Sequence, residues 1–110
     1  MKSDSILERI QLKLNESDPS NRTLTNIFIF HFKDADGNFI KSVVLDLKNL
    51  KVFDGSIENP DVEINVSDDD FYLVGTKQIS FDNLIETGKV QVNGNQTAFQ
   101  KMLEKFRLNA

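Results

Sequence analysis

The sequence predicts an α+β fold, one sheet with helices packed over one of its faces. Three observations carry this. Apolar residues recur at helical spacing near both ends of the chain, they alternate with period two through the middle, and turn residues separate the segments. The resulting order is helix, three strands, a fourth strand, two short helices, a fifth strand and a final helix.

Residues 3–16 form the first helix. Ile6, Leu7, Ile10 and Leu14 share a stripe, with Glu8, Arg9, Gln11 and Lys13 on the other faces and Ser3 or Asp4 as cap. The turn chemistry of "NESDPSNR" ends it. In "LTNIFIFHF" Phe28, Phe30 and Phe32 fall on one strand face, and Ile29, His31 and Lys33 on the other. "DADGNF" makes a hairpin with Asp36-Gly37 at its centre. In the next strand Val43, Leu45 and Leu47 point one way, and Lys41, Val44, Asp46 and Lys48 mix on the others. "NLKVFDGSI" gives a third, shorter strand of open register, weakened or bulged by Gly55.

Val62, Ile64 and Val66 point inward from the fourth strand. The acidic run that follows it then reads as a helix start. Ser67 caps, Asp70 stands three residues on, and Asp68, Asp69 and Asp70 occupy the first turn, where the helix dipole favours anions. Phe71, Leu73 and Val74 supply the buried face and Gly75 ends the helix. A second short helix, capped by Ser80 and closed by Gly88, presents Phe81, Leu84 and Ile85. Val90 and Val92 point inward from the fifth strand. The last helix, 95–108, aligns Phe99, Met102, Leu103 and Phe106.

Composition narrows the function. At 110 residues the chain reads as one domain, 1–110, large enough to bury a core without staples. It has no cysteine, which removes disulfides, thiolate metal sites and cysteine nucleophiles. A net charge of −4 without a Lys/Arg cluster argues against nucleic acid as partner. The first residues are too polar for a signal peptide, and no apolar run reaches membrane-spanning length. The N-x-S/T matches at Asn15, Asn21, Asn65 and Asn95 therefore read as chance. The C-terminal "RLNA" is not an S-K-L peroxisomal signal, so the expected location is the cytoplasm.

Catalytic chemistry is hard to assemble from these residues. His31 is the sole histidine, and its strand parity turns it to solvent. Asp68–Asp70 lack the spacing of a calcium loop, and capping accounts for them. The glycines form no phosphate-binding motif. No metal, no cofactor and no catalytic residue is expected, hence no enzyme. What remains is nine Phe with one Tyr and no Trp, apolar area almost without polar handles. It fills an ordinary core or lines a cavity; spacing alone does not say which.

A resemblance favours the cavity. The segments "VVLDLKNLKVFDG" and "NPDVEINVSDDDFYLVGTKQISFDNLIETGKVQVNGNQTAFQKMLEKF" resemble the sterol carrier protein type 2 (SCP-2) domain family in order and spacing across residues 43–106. The N-terminal third is compatible, and "SDPSNR" and "LDLKN" resemble the short, single-domain insect members. The resemblance implies a five-stranded mixed, mostly antiparallel sheet, covered on one face by about four to five helices. It also implies an apolar tunnel between the layers that holds long-chain fatty acids, fatty acyl-CoA or sterols. It implies a carrier that moves lipid between membranes or enzymes, through transient membrane contact and as a monomer.

On this basis Ile10, Leu14, Leu24, Phe30, Leu45, Leu47, Val66, Phe71, Val74, Phe99, Met102, Leu103 and Phe106 are expected to line the cavity. Arg22 is expected to meet the ligand head group, with Lys13 as a second basic residue. Where glutamine follows the arginine in such relatives, this chain has Thr23, a donor of shorter reach. The alternative is a protein-interaction or regulatory domain that keeps the fold but has filled its cavity.

Overall fold

The structure is a computed structural model that describes residues 1–16 and 25–108, the side chains of 105–108 excepted. The chain runs α1 (Asp4–Glu16), β1 (Ile27–Lys33), β2 (Phe39–Asp46), β3 (Lys51–Asp54), β4 (Val62–Ser67), α2 (Asp68–Gly75), α3 (Phe81–Glu86), β5 (Gln91–Gly94) and α4 (Gln96–Leu108). The element order is the one the periodicities predict.

The five strands lie in the order β3-β2-β1-β4-β5. β1 is antiparallel to β2 and parallel to β4, and β3 and β5 join antiparallel at the two edges. The sheet is thus mixed and mostly antiparallel. Its register aligns the inward rows: Phe28 lies between Leu45 and Val62, and Phe30 between Val43 and Ile64. These residues form one buried core with Ile6, Leu7 and Leu14 of α1, Phe71 of α2, Phe81 and Leu84 of α3, and Phe99, Met102 and Leu103 of α4. The register of β3, open in the sequence, places Val52 opposite Leu45. Its outer edge is satisfied by Gln11 of α1, whose side chain accepts from Val52 N at 2.6 Å and donates to Leu50 O at 3.2 Å. An edge strand is protected in this way without a sixth strand.

The other face is not uniformly polar. Ile29 and Val44 are buried although their parity turns them away from the helices. They pair across β1 and β2, in a row bounded by Phe53 on β3 and Glu63 on β4. Long neighbours in one cross-strand row can cover two short aliphatic ones without a second layer. Asp46, of the same strand parity as Val44, is buried too. It is 6% exposed and accepts from Lys48 N, Asn49 N and Asn49 Nδ2, closing the turn after β2. In α3, Ile85 is 42% exposed while Phe81 and Leu84 are buried. In α2, Tyr72 rather than Leu73 packs on the core beside Val74.

The acidic run has two roles. Ser67 Oγ accepts from Asp70 N at 3.0 Å, the expected cap. Asp68 faces elsewhere. Its carboxylate, 8% exposed as a residue, accepts from Lys2 N and Ser3 N, each at 2.8 Å, while Ser3 Oγ donates to Asp68 O at 2.9 Å. The start of α2 therefore holds the start of α1. Burial opposes the Asp68 charge, but the bonds from Ser3 and Lys2 prevail and hold its carboxyl below the ordinary value.

Gly75 does not end α2 by adopting a left-handed conformation, as the sequence suggests. It is the last helical residue, and a Cβ there would lie 2.7 Å from three side-chain atoms of Ile6. Its role is close approach of α1 and α2. Helix propensity alone would favour alanine by about 1 kcal/mol. The overlap with buried, branched Ile6 is expected to outweigh this, so Gly75→Ala should lose up to about 2 kcal/mol net. Urea unfolding measures this, and an unchanged or raised midpoint would show that the helix contact yields freely.

Candidate functional site

A half-open pocket of about 780 Å³ lies between the sheet and the helices. This is the size range of small-molecule sites, about 300–1,000 Å³. Its floor is Phe30 of β1 and Leu45 of β2; Phe71 and Val74 of α2, Phe81 of α3 and Met102 and Leu103 of α4 form walls. α1 contributes Ile6, Arg9, Ile10 and Lys13, at positions i, i+3, i+4 and i+7 of one helix face. The α2–α3 connection closes the ring with Gly75, Lys77, Gln78, Ile79 and Ser80.

Five phenylalanines organise the apolar side. Phe30 stacks beside Phe32 at 6.1 Å between ring centroids. Phe71 meets both edge-on, at 5.4 and 5.1 Å, and Phe81 meets Phe71 and Phe99 edge-on, at 6.3 and 5.9 Å. Each such pair adds about 0.5–1.5 kcal/mol beyond its buried area. The chain of rings ties β1, α2, α3 and α4 together and fixes the wall on which a ligand would rest.

The rim differs from the floor. Arg9, Lys13 and Lys77 are its charged residues, and no Asp or Glu is among the described residues that line the pocket. Arg9 Nη2 donates to Gly75 O at 3.1 Å. α2 has no basic residue in its own last turn, so Arg9 supplies the cation that the negative end of the helix favours. A site of this kind can hold one amphiphile, with its tail against the aromatic wall and an anionic head at the rim. Among the described residues, no three His, Asp or Glu side chains group as a metal site. His31 lies on the far face of the sheet, with Nδ1 at 2.7 Å from Ser42 Oγ.

Of the residues expected at the cavity, Ile10, Phe30, Leu45, Phe71, Val74, Met102 and Leu103 lie on the pocket wall. Leu14, Leu47, Val66 and Phe99 are buried in the surrounding core and do not line it. Leu24, Arg22, Thr23 and the Phe106 side chain lie outside the described residues. Lys13 lies at the rim. The sequence reading missed Ile6, Arg9, Phe81 and the stretch from Gly75 to Ser80 as lining residues. Helical spacing from Ile10 and Lys13 was a sufficient signal for Ile6 and Arg9. For residues 75–80 there was none, because a connecting segment has no periodicity.

The family profile of the SCP-2 sterol transfer family matches residues 5–106. The crystal structure of sterol carrier protein-2 like-3 from Aedes aegypti is similar, with 39% identity and a TM-score of 0.86, covering 97% of this chain and 98% of that one. The solution structure of sterol carrier protein-2 from Aedes aegypti, in complex with the C16 fatty acid palmitate, is 27% identical, with a TM-score of 0.82 over 96% of this chain and 94% of that one. The solution structure of palmitated SCP2L2 from Aedes aegypti is 28% identical, with a TM-score of 0.79 over 94% of this chain and 93% of that one. No curated protein sequence matches this chain.

Proposed function

This chain belongs to the SCP-2 sterol transfer family, and from that premise we propose that it is a lipid carrier that binds long-chain fatty acids in an internal apolar cavity. The observation that carries the reading is the pocket: an aromatic and aliphatic wall around about 780 Å³, under a cationic rim. Relatives of the same fold hold palmitate. Burial of each tail methylene contributes about 0.8 kcal/mol, enough over a long chain to exceed association costs of roughly 4–15 kcal/mol. Fatty acyl-CoA and sterols are further ligands of the same wall, which has few polar groups with which to discriminate.

In this reading 1–110 acts as a single lipid-binding domain and a monomer, in the cytoplasm, with transient membrane contact at loading and release. It binds and delivers lipid and performs no reaction. Lys13 is a head-group residue in this reading, and Arg22 and Thr23, outside the described residues, are proposed as further head-group contacts.

Displacement of a fluorescent fatty acid by palmitate tests the reading. Palmitate is expected to displace it from the wild type, and Leu45→Trp to weaken palmitate at least tenfold by filling the floor. Overpacking at Leu45 costs about 1–3 kcal/mol, so circular dichroism should still show a folded protein. A wild type that holds neither fatty acid would refute the carrier.

A further inference from the structure

The two short helices end in the same structure, with one difference. In α3, Thr87 is the cap, Gly88 N donates to Ile85 O at 3.2 Å, and Lys89 N donates to Leu84 O at 2.9 Å. In α2, Thr76 is the cap, Lys77 N donates to Val74 O at 3.0 Å, and Gln78 N donates to Leu73 O at 2.9 Å. Both are Schellman ends, and in both the cap threonine's hydroxyl donates to the carbonyl four residues back, Asn83 or Tyr72. The residue after the cap must be left-handed. In α3 it is Gly88, with φ 71°; in α2 it is Lys77, with φ 64°. A Cβ is disfavoured there, which is why glycine is usual.

Among the described residues, two other non-glycine residues have positive φ, Leu50 and Asn59. Leu50 packs against the core, and asparagine adopts this region readily. Lys77 has neither reason, since it is exposed. It does line the pocket, as do Arg9, Lys13, Gln78 and Ser80. Strain held at a ligand-binding edge points to use of the side chain.

We propose that Lys77 is a head-group residue, and that with Arg9 it suits the pocket to a single-chain amphiphile bearing a phosphate monoester, in preference to a carboxylate. The proposal rests on the lipid-carrier reading and specifies its ligand. Arg9 spends one N–H on Gly75 O and keeps others in a planar fork. Lys77 adds a mobile ammonium, and the Ser80 hydroxyl, which accepts from Asn83 N at 3.2 Å, retains its own proton to donate. These donors come from two elements of the pocket lining, α1 and the α2–α3 connection. A carboxylate has two oxygens and one charge. A phosphate monoester has three terminal oxygens and nearly two charges at neutral pH, and can engage both sides at once.

The test is calorimetric titration with hexadecyl phosphate, palmitate and hexadecanol below micelle formation. Wild-type protein is expected to bind hexadecyl phosphate roughly tenfold more tightly than palmitate, with a preference that falls as salt rises. Lys77→Met removes the charge, and should lower the ratio of hexadecyl phosphate to hexadecanol affinity roughly tenfold; Lys77→Arg should restore it. Lys77→Gly should lower the same ratio while raising Tm by roughly 3–8 °C, because it relieves the left-handed residue. Inorganic phosphate alone should not displace hexadecyl phosphate, since the tail supplies most of the binding.

Equal affinity for hexadecyl phosphate and palmitate would overturn the proposal, as would a ratio unchanged in Lys77→Met, or displacement by inorganic phosphate. If none of the three amphiphiles binds, the lipid-carrier reading itself falls.

Discussion

Phe30→Asp is expected to abolish palmitate binding and to bring the protein close to unfolding. Phe30 lies on the pocket floor, almost fully buried, stacked beside Phe32 and met edge-on by Phe71. Removing a buried phenylalanine ring costs about 3–5 kcal/mol, and a carboxylate in its place adds the cost of an unpaired buried charge. The total stability of a domain is only about 5–15 kcal/mol. The loss should grow as pH rises, because the buried carboxyl is tolerated best when protonated. Urea unfolding at several pH values and calorimetry with palmitate measure both effects. Phe30→Ala keeps the binding test open if the aspartate variant does not fold; it should weaken palmitate at least tenfold. A folded Phe30→Asp protein that binds palmitate as the wild type does would place the tail elsewhere.

The second large effect lies away from the pocket. Asp68→Ala is expected to lose about 2–6 kcal/mol, at about 1–3 kcal/mol for each backbone donor left unpaired at Lys2 and Ser3. The loss depends on pH. The folded carboxyl titrates below its ordinary value of 3.8, because the bonds from Ser3 and Lys2 outweigh the effect of burial. Its contribution is therefore fully present above about pH 5, and fades as pH falls through 3.8 and then through the lower folded value. Asp46 acts in the same direction through Asn49 and Lys48. Urea midpoints of wild type and Asp68→Ala should converge as pH falls from 6 towards 3. A gap that stays constant over that range would show that the side chain acts through packing rather than charge.

The two sites differ in how far the sequence revealed them. Phe30 was legible as an inward strand residue because period two is a local property. Asp68 was read only as part of a helix start, since its partners are 65 and 66 residues away in the chain. The acid's position at the head of α2 is local information, and what it binds is not.

The same division holds for the whole molecule. The sequence by itself determined the order of elements, the inward strand faces and the caps at Ser67 and Ser80, because each depends on residues a few positions apart. It also determined that the chain carries no cysteine chemistry. Only the tertiary structure decided which apolar residues meet the void. Phe30 and Phe32 share one face of β1, yet Phe30 lines the pocket and Phe32 is packed behind it. Phe99, Met102 and Leu103 share one stripe of α4, and only the last two reach the wall. Where a void opens depends on how far helices from distant parts of the chain stand off the sheet. Gly75 against Ile6 and Arg9 against the Gly75 carbonyl set how closely α1 and α2 approach each other at the edge of that void. Such contacts join residues more than sixty positions apart, and leave no periodic trace in the sequence.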